Sequence, residues 1–280
     1  MKKLVFITCN NNYVLKSIVA LKQFLLKNED YDMAIIGTTF SNEMKELCYK
    51  HNILIKEIDL SSDFINIDKR PAGHQYPIEC FYHFYVYKLF DYDYVIQIEP
   101  DIYTNKKIDI DLSKIKYVGG SYSPHLFISN FYTIMDNYDK LQKSVSKRGD
   151  IHQNRIHGGV KIYNVNGLKE INFYDKIVEY YKLCWKLNCP RCGDDSLMVL
   201  YQLFHKEHIT LLKPRFHLIF HNKINISPDD IIFFHSTAYN PKYWNIKDPD
   251  KESRVVRFFY DKCIDFIEKN FDSDFKKQLF

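Results

Sequence analysis

Apolar residues along the first sixty positions alternate between short unbroken runs and longer stripes at helical spacing. Residues 3–9, Lys-Leu-Val-Phe-Ile-Thr-Cys, form a near-continuous apolar run that Asn10-Asn11-Asn12 ends, the pattern of a buried strand followed by a turn. Val14, Ile18, Leu21 and Leu25 then recur at helical spacing to about residue 27, which gives a helix one face to lay on a sheet. Met33 to Gly37 predicts a second strand, Ser41 to His51 a helix with Ser41 near its N-cap, and Ile53 to Ile58 a third strand. Such alternation predicts an α/β fold with a mostly parallel central sheet, right-handed crossovers and a ligand site at the carboxyl ends of the strands.

Residues 61–75 are polar, contain Arg70, Pro71 and Gly73, and predict a loop. Pro77 to Phe90 is dense in aromatics and predicts a helix buried on more than one side. The central strand follows in Tyr92 to Tyr103, an apolar run with one Gln inside it that ends in Glu99-Pro100-Asp101. Further on, strands are predicted at Lys116 to Tyr122, Gly158 to Val165 and Ile231 to His235, and helices at about 169–187 and 194–206. Residues 123–155 read as irregular or partly helical, and Glu252 to Asn270 as an amphipathic helix. The expected organisation is one domain over 1–250 with a C-terminal segment, 251–280, packed on it.

Composition narrows the function classes. A chain of 280 residues that is 46% hydrophobic and 16% aromatic can bury a full core. Its net charge of +4, from 39 basic against 35 acidic residues, is too balanced and dispersed to point to nucleic acid. Met1-Lys2-Lys3 precedes an apolar run too short for a signal-peptide core or a membrane span, and no later stretch qualifies, so a cytoplasmic location is expected. Seven scattered cysteines suit reduced thiols. Among them Cys184, Cys189 and Cys192 cluster without the second paired element that a structural zinc site uses, and read as incidental thiols.

The candidate chemistry centres on Glu99 and Asp101. Pro100 removes a backbone donor and fixes φ, so the ladder stops there and both acids fall on a turn at the sheet edge. Two carboxylates this close repel unless a cation lies between them, and a hard divalent ion accepts their oxygens while leaving positions open for phosphate. A solvated acidic turn is the bland alternative, and context decides.

That context is an ordered set of features. A first strand ends in Thr8-x-Asn10 with Tyr13 nearby; the central strand ends in Glu99-x-Asp101. There follow Gly159-Val160-x-x-x-Asn164, the helix start Asp194-Asp195, and His235 with Lys242-x-Trp244 behind it. Together, over most of the chain, they resemble the GT-A-fold glycosyltransferases of family eight, which include glycogenin and bacterial lipopolysaccharide galactosyl- and glucosyltransferases. The resemblance implies a single nucleotide-diphospho-sugar transferase domain that retains configuration at the anomeric carbon. It implies a nucleotide, usually uridine, held by Thr8, Asn10 and Tyr13, although Tyr13 alone could equally be a core contact. Glu99, Asp101 and His235 become the ligands of Mn²⁺ or Mg²⁺, the imidazole favouring Mn²⁺, and Lys242 meets the diphosphate. His157 and Gly159 face the donor sugar, and Asp194 or Asp195 stabilises the developing sugar cation or orients the acceptor.

Several positions depart from the family pattern. The first acid is Glu99 rather than Asp; His157 stands for Asn, Asp195 for Gln, Ala238 for Gly and Tyr243 for Pro. His83 stands where the family usually has Lys, which removes a permanent positive charge that Arg70 or His74 would have to replace. The expected partners are a UDP-sugar donor and a glycan, protein or lipid acceptor, with no nucleic acid, no transmembrane segment and a homodimer left open. Two other classes compete: a nucleotide-sugar-binding protein that has lost transfer, motivated by these departures, and a sugar-1-phosphate nucleotidyltransferase. The latter normally carries a Gly-rich loop after the first strand, where this chain has three asparagines.

Overall fold

A computed structural model of the chain describes residues 1–67, 77–130, 132–188, 193–213, 216–219, 227–235, 242–252 and 254–280. Arg70, His74, Cys189, Cys192 and Ala238 lie outside the described residues.

The opening follows its apolar pattern. Strand β1 (Lys3–Thr8) buries Leu4, Val5, Phe6 and Ile7 completely. Helix α1 (Val14–Lys27) lays Val14, Ile18, Leu21 and Phe24 on the sheet beside it. Strand β2 (Asp32–Gly37), helix α2 (Asn42–Lys50) and strand β3 (Leu54–Glu57) complete the unit, and the Ser41 side chain caps α2 by accepting from the Met44 N–H.

The aromatic stretch is built differently from the expected helix. It forms a tight three-residue-per-turn segment, Ile78–Phe84, followed by the single turn α3 (Val86–Leu89). Rings here are gripped from several directions, Phe81 lying 4.8 Å from Phe64 and 5.9 Å from Tyr181. With Phe81, Tyr82, Phe84, Val86 and Tyr87 all buried, there is no solvent face for an amphipathic α-helix to present.

Strand β4 (Tyr94–Ile98) leads into the short strand β5 (Ile102–Thr104), and β6 (Val118–Phe127) runs further than its apolar core implies. The 123–155 stretch therefore begins as strand and continues through α4 (Tyr132–Met135) and α5 (Tyr138–Val145). After β7 (Asn154–Asn164) a short helix α6 (Val165–Glu170) comes first, and α7 (Phe173–Lys186) takes most of the helix expected at about 169–187. The break is at Asn172, whose φ of 50° is left-handed. Helix α8 (Asp194–Phe204), strands β8 (Ile209–Leu212), β9 (His217–Ile219) and β10 (Phe233–His235), and helices α9 (Arg254–Asn270) and α10 (Ser273–Leu279) complete the described chain.

Seven strands form one sheet in the order β3-β2-β1-β4-β7-β6-β8. All neighbours pair in parallel except β7, which runs antiparallel to both β4 and β6. One face buries the aromatic segment with residues of α7 and α8, and the other buries α1 with Phe266, Ile267, Phe271, Phe275 and Leu279 from the C-terminal helices. Each such side chain contributes roughly 1.5–3 kcal/mol when fully buried. A second sheet, β5-β10-β9, closes over one end of the first. Among the described residues no helix is long and apolar enough to cross a membrane.

Candidate active site

The site is assembled where β4 stops. Its ladder to β7 runs to Ile98 opposite Val160, and the chain then turns, the Ile102 N–H donating to the Glu99 carbonyl at 3.1 Å. Pro100 inside that turn cannot extend the ladder. The emerging β5 pairs antiparallel with β10, so that His235 stands opposite Ile102, one residue from Asp101.

This register gathers the two acids and the imidazole. His235 Nε2 lies 2.9 Å from Glu99 Oε2 and 3.3 Å from Asp101 Oδ1. Lys242 Nζ pairs with the other oxygen of Asp101. Asp101 and His235 are nearly buried, whereas Glu99 is about one-third exposed (34%) and faces the opening. Burial alone would lower the His235 pKa, yet Asp101 and Glu99 reverse this and push it to about 10. Burial likewise works to raise Asp101, and His235 with Lys242 hold it down to about 2. The two acids thus favour the protonated form of the His235 imidazole.

The donor set suits a divalent cation. Two carboxylates and one imidazole offer ligand atoms that all lie within 4.8 Å of one another. An ion entering there replaces the His235 proton, as metal binding to imidazole requires.

Strand β1 lies beside β4 and parallel to it, so its carboxyl end opens on the same edge of the sheet. Thr8 ends the strand half-buried. Asn10 caps the following turn, its Oδ1 accepting from the Asn12 N–H at 3.1 Å, and the Asn11 side chain accepts from the Ser41 N–H, tying this loop to the end of β2. Tyr13 is 45% exposed and is not a core contact.

Because β7 runs antiparallel to β4, its amino end meets the carboxyl end of β4. Gly158 sits at that meeting. A Cβ there would stand 3.4 Å from Asp195 Oδ1 and 3.9 Å from Glu99 Oε1, so the residue lines the gap between the acid turn and α8. Asp195 Oδ2 receives Arg155 Nη1 at 2.7 Å, while Oδ1 is buried with no hydrogen bond from any described residue. Asp194, at the first position of α8, faces His83 Nε2 at 3.6 Å. The other His83 nitrogen pairs with the Tyr163 hydroxyl at 2.7 Å. His157 is buried on β7 one residue before Gly158, and Gly159 follows on the same strand end.

Beneath Gly158 lies Lys161, which is completely buried. Its ammonium donates to the Gly158 carbonyl at 2.5 Å and to Gln97 Oε1 at 3.2 Å, the latter directly across the β4–β7 ladder. Burial and the Lys161 charge press the His83 pKa down to about 4, leaving the imidazole neutral. Burial would raise Asp194, but His83 and Lys161 together hold it below the ordinary carboxylate value.

The structure therefore brings Glu99, Asp101, His235 and Lys242 into one contact group and sets Asp195 across Gly158 from it. Sequence reasoning missed Arg155 and Lys161. Their available signal was the polar pair Gln97 and Lys161, each interrupting an apolar run.

No protein-family model matches the chain, and none of the curated proteins matches it in sequence. Solved structures do share its shape. The galactosyltransferase LgtC, in complex with donor and acceptor sugar analogues, superposes with a TM-score of 0.67 at 13% identity, over 99% of both chains. The bifunctional glycosyltransferase WbbM gives 0.64 at 16% identity over 99% of this chain and 51% of its own. Core-mannan synthase A from Aspergillus fumigatus, in its Mn/GDP form, gives 0.55 at 13% identity over 96% of this chain and 85% of its own. The fold is that of GT-A glycosyltransferases.

Proposed function

We propose that this chain, which has the fold of the GT-A glycosyltransferases, is itself a metal-dependent, retaining glycosyltransferase moving a hexose from a UDP-sugar to a glycan, protein or lipid acceptor. The observation that carries the reading is the meeting of Glu99, Asp101, His235 and Lys242 at the carboxyl end of β4, with Asp195 facing them across a residue that has no side chain.

In this reading Thr8, Asn10 and the exposed ring of Tyr13 hold the nucleotide at the end of β1. Mn²⁺ or Mg²⁺ held by Glu99, Asp101 and His235 supplies Lewis-acid stabilisation of the departing diphosphate. Lys242, paired with Asp101, would turn its ammonium toward the diphosphate and place a positive charge where negative charge develops. On the sugar side, Gly158 leaves room for the hexose between Glu99 and Asp195. Asp195 keeps one oxygen on Arg155 and turns the other toward that space, where it stabilises positive charge on the sugar or orients the acceptor hydroxyl. Asp194, His157 and Gly159 shape the rest of the sugar pocket.

The test needs no acceptor, because transferases leak donor to water. Release of nucleoside diphosphate is followed across a panel of nucleotide sugars with Mn²⁺, Mg²⁺ or EDTA. Mn²⁺-dependent release from one UDP-sugar, lost in Asp101→Ala and His235→Ala, supports the class and names the donor. The absence of both release and metal-dependent UDP binding would overturn it. Near-full rates in both Asp194→Asn and Asp195→Asn would remove the α8 acids from the mechanism while leaving the rest.

A further inference from the structure

A second set of metal-type ligands lies at the opposite end of α8. Residues 205–208, His-Lys-Glu-His, form a tight turn between α8 and β8. One ligand atom from each of His205, Glu207 and His208 lies within 4.8 Å of the other two.

Each histidine is anchored through one ring nitrogen. His205 Nε2 pairs with the Tyr180 hydroxyl at 2.8 Å and His208 Nδ1 with the Tyr201 hydroxyl at 2.6 Å. Tyr180 and Tyr201 are fixed in the core, 2% and 1% exposed. Each ring thus has one nitrogen engaged by a buried tyrosine and the other left for a ligand, the outer-shell arrangement that fixes tautomer and direction at metal sites. The free His205 Nδ1 lies 3.9 Å from Glu207 Oε1. The turn also follows the carboxyl end of an 11-residue helix, where the macrodipole favours a cation.

From this geometry we infer that His205, Glu207 and His208 form a second divalent-metal site, of zinc-like N,N,O type with an open fourth position, which fastens the end of α8 to the edge strand β8. Occupation requires two adjustments. The parallel rings, with centroids 5.3 Å apart, turn so that the ligand atoms approach to about 3.4 Å, as tetrahedral zinc demands. Glu207, 56% exposed, gives up its ion pair with Lys147 at 3.4 Å. The site is independent of the nucleotide-sugar reading and does not share a ligand with it.

The experiment is equilibrium dialysis of the whole chain against Zn²⁺, with metal counted per protein, in wild type, in Asp101→Ala, and in Asp101→Ala combined with Glu207→Gln, His205→Gln or His208→Gln. Glutamine retains a hydrogen bond to the tyrosine, and Glu207 is exposed, so these variants keep the local fold. Because the Glu99, Asp101 and His235 cluster can itself take zinc, the expected result is up to two equivalents in wild type, one in Asp101→Ala, and loss of that one, or at least tenfold weaker binding, when Glu207→Gln, His205→Gln or His208→Gln is added to Asp101→Ala. In the Asp101→Ala background Co²⁺ should give visible bands of a nitrogen and oxygen set without thiolate charge-transfer absorption, and Zn²⁺ should raise the Tm of Asp101→Ala but not of Asp101→Ala/Glu207→Gln. Equal zinc in Asp101→Ala and its three double variants, no zinc in Asp101→Ala, or a thiolate band would overturn the assignment.

Discussion

The two halves of the active-site cleft are built on opposite plans. On one side, Glu99 and Asp101 follow the end of β4 and His235 ends β10, with Lys242 added from the segment beyond. On the other, Lys161 and Gln97 are polar residues inside the sheet, paired across a ladder and fully enclosed. The first plan would let ligands rearrange around the proposed metal and diphosphate. The second fixes a backbone carbonyl, a glycine and a pair of helix-start acids in one place, since a buried ammonium that lost its acceptors would be heavily penalised. One half is arranged to exchange partners and the other to hold still.

Substitutions can break or sharpen this contrast. Asp101→Ala removes a ligand and the Lys242 partner together, and should lower Mn²⁺-dependent donor turnover on the order of 10²–10³-fold, read from initial rates. Lys161→Met retains the volume but releases the Gly158 carbonyl. It should lower kcat on the order of 10²-fold through misplacement at the sugar while leaving UDP and Mn²⁺ affinity intact by calorimetry. Weaker UDP binding in that variant would mean that the halves act as one unit. Gly158→Ala places a methyl in ordinary contact with Asp195 and Glu99, so the chain should fold normally. The donor KM should rise roughly tenfold, the effect of crowding a pocket by one carbon.

The smallest effect is on stability. His83 titrates at about 4 in the folded chain against an ordinary 6.5, so between those pH values the unfolded chain binds the extra proton. Stability should therefore fall as pH drops from 6.5 to 4, by up to about 1.4 kcal/mol per pH unit, with no contribution above that window. A Tm-against-pH profile for His83→Gln should be flatter over this range by that amount; an unchanged slope would show that His83 is not the group responsible.

The same contrast explains what was legible in the sequence. The acid turn could be read because it ends an apolar run, and His235 and Lys242 because the chain order of such features resembles a known family. The strand-helix opening was read from periodicity alone. Lys161 could not be read so, because its meaning depends on Gln97 lying opposite, a pairing set by an antiparallel strand 64 residues away. The missing cation at His83 was sought in the loop at 70–74. Arg70 and His74 lie outside the described residues, and among those described Lys161 on β7 supplies a charge acting on His83 and Asp194. Arg155 was hidden similarly, by its place at the start of a strand that the glycines seemed to open. The Asn172 break separates α6 from α7, which periodicity does not register.

The register of β5 against β10 has a consequence for how the chain comes to be folded. Asp101 and Lys242 are 141 residues apart in sequence, and His235 reaches Glu99 only through the same late pairing. During synthesis, β1, β2, β4 and β7 have all emerged and can assemble while the acid turn still has neither its imidazole nor its ammonium. Closing so long a loop costs entropy that the small sheet alone recovers poorly. Metal binding of the kind proposed would therefore reward the last step of folding, and the ability to bind it would mark a chain whose distant end has arrived.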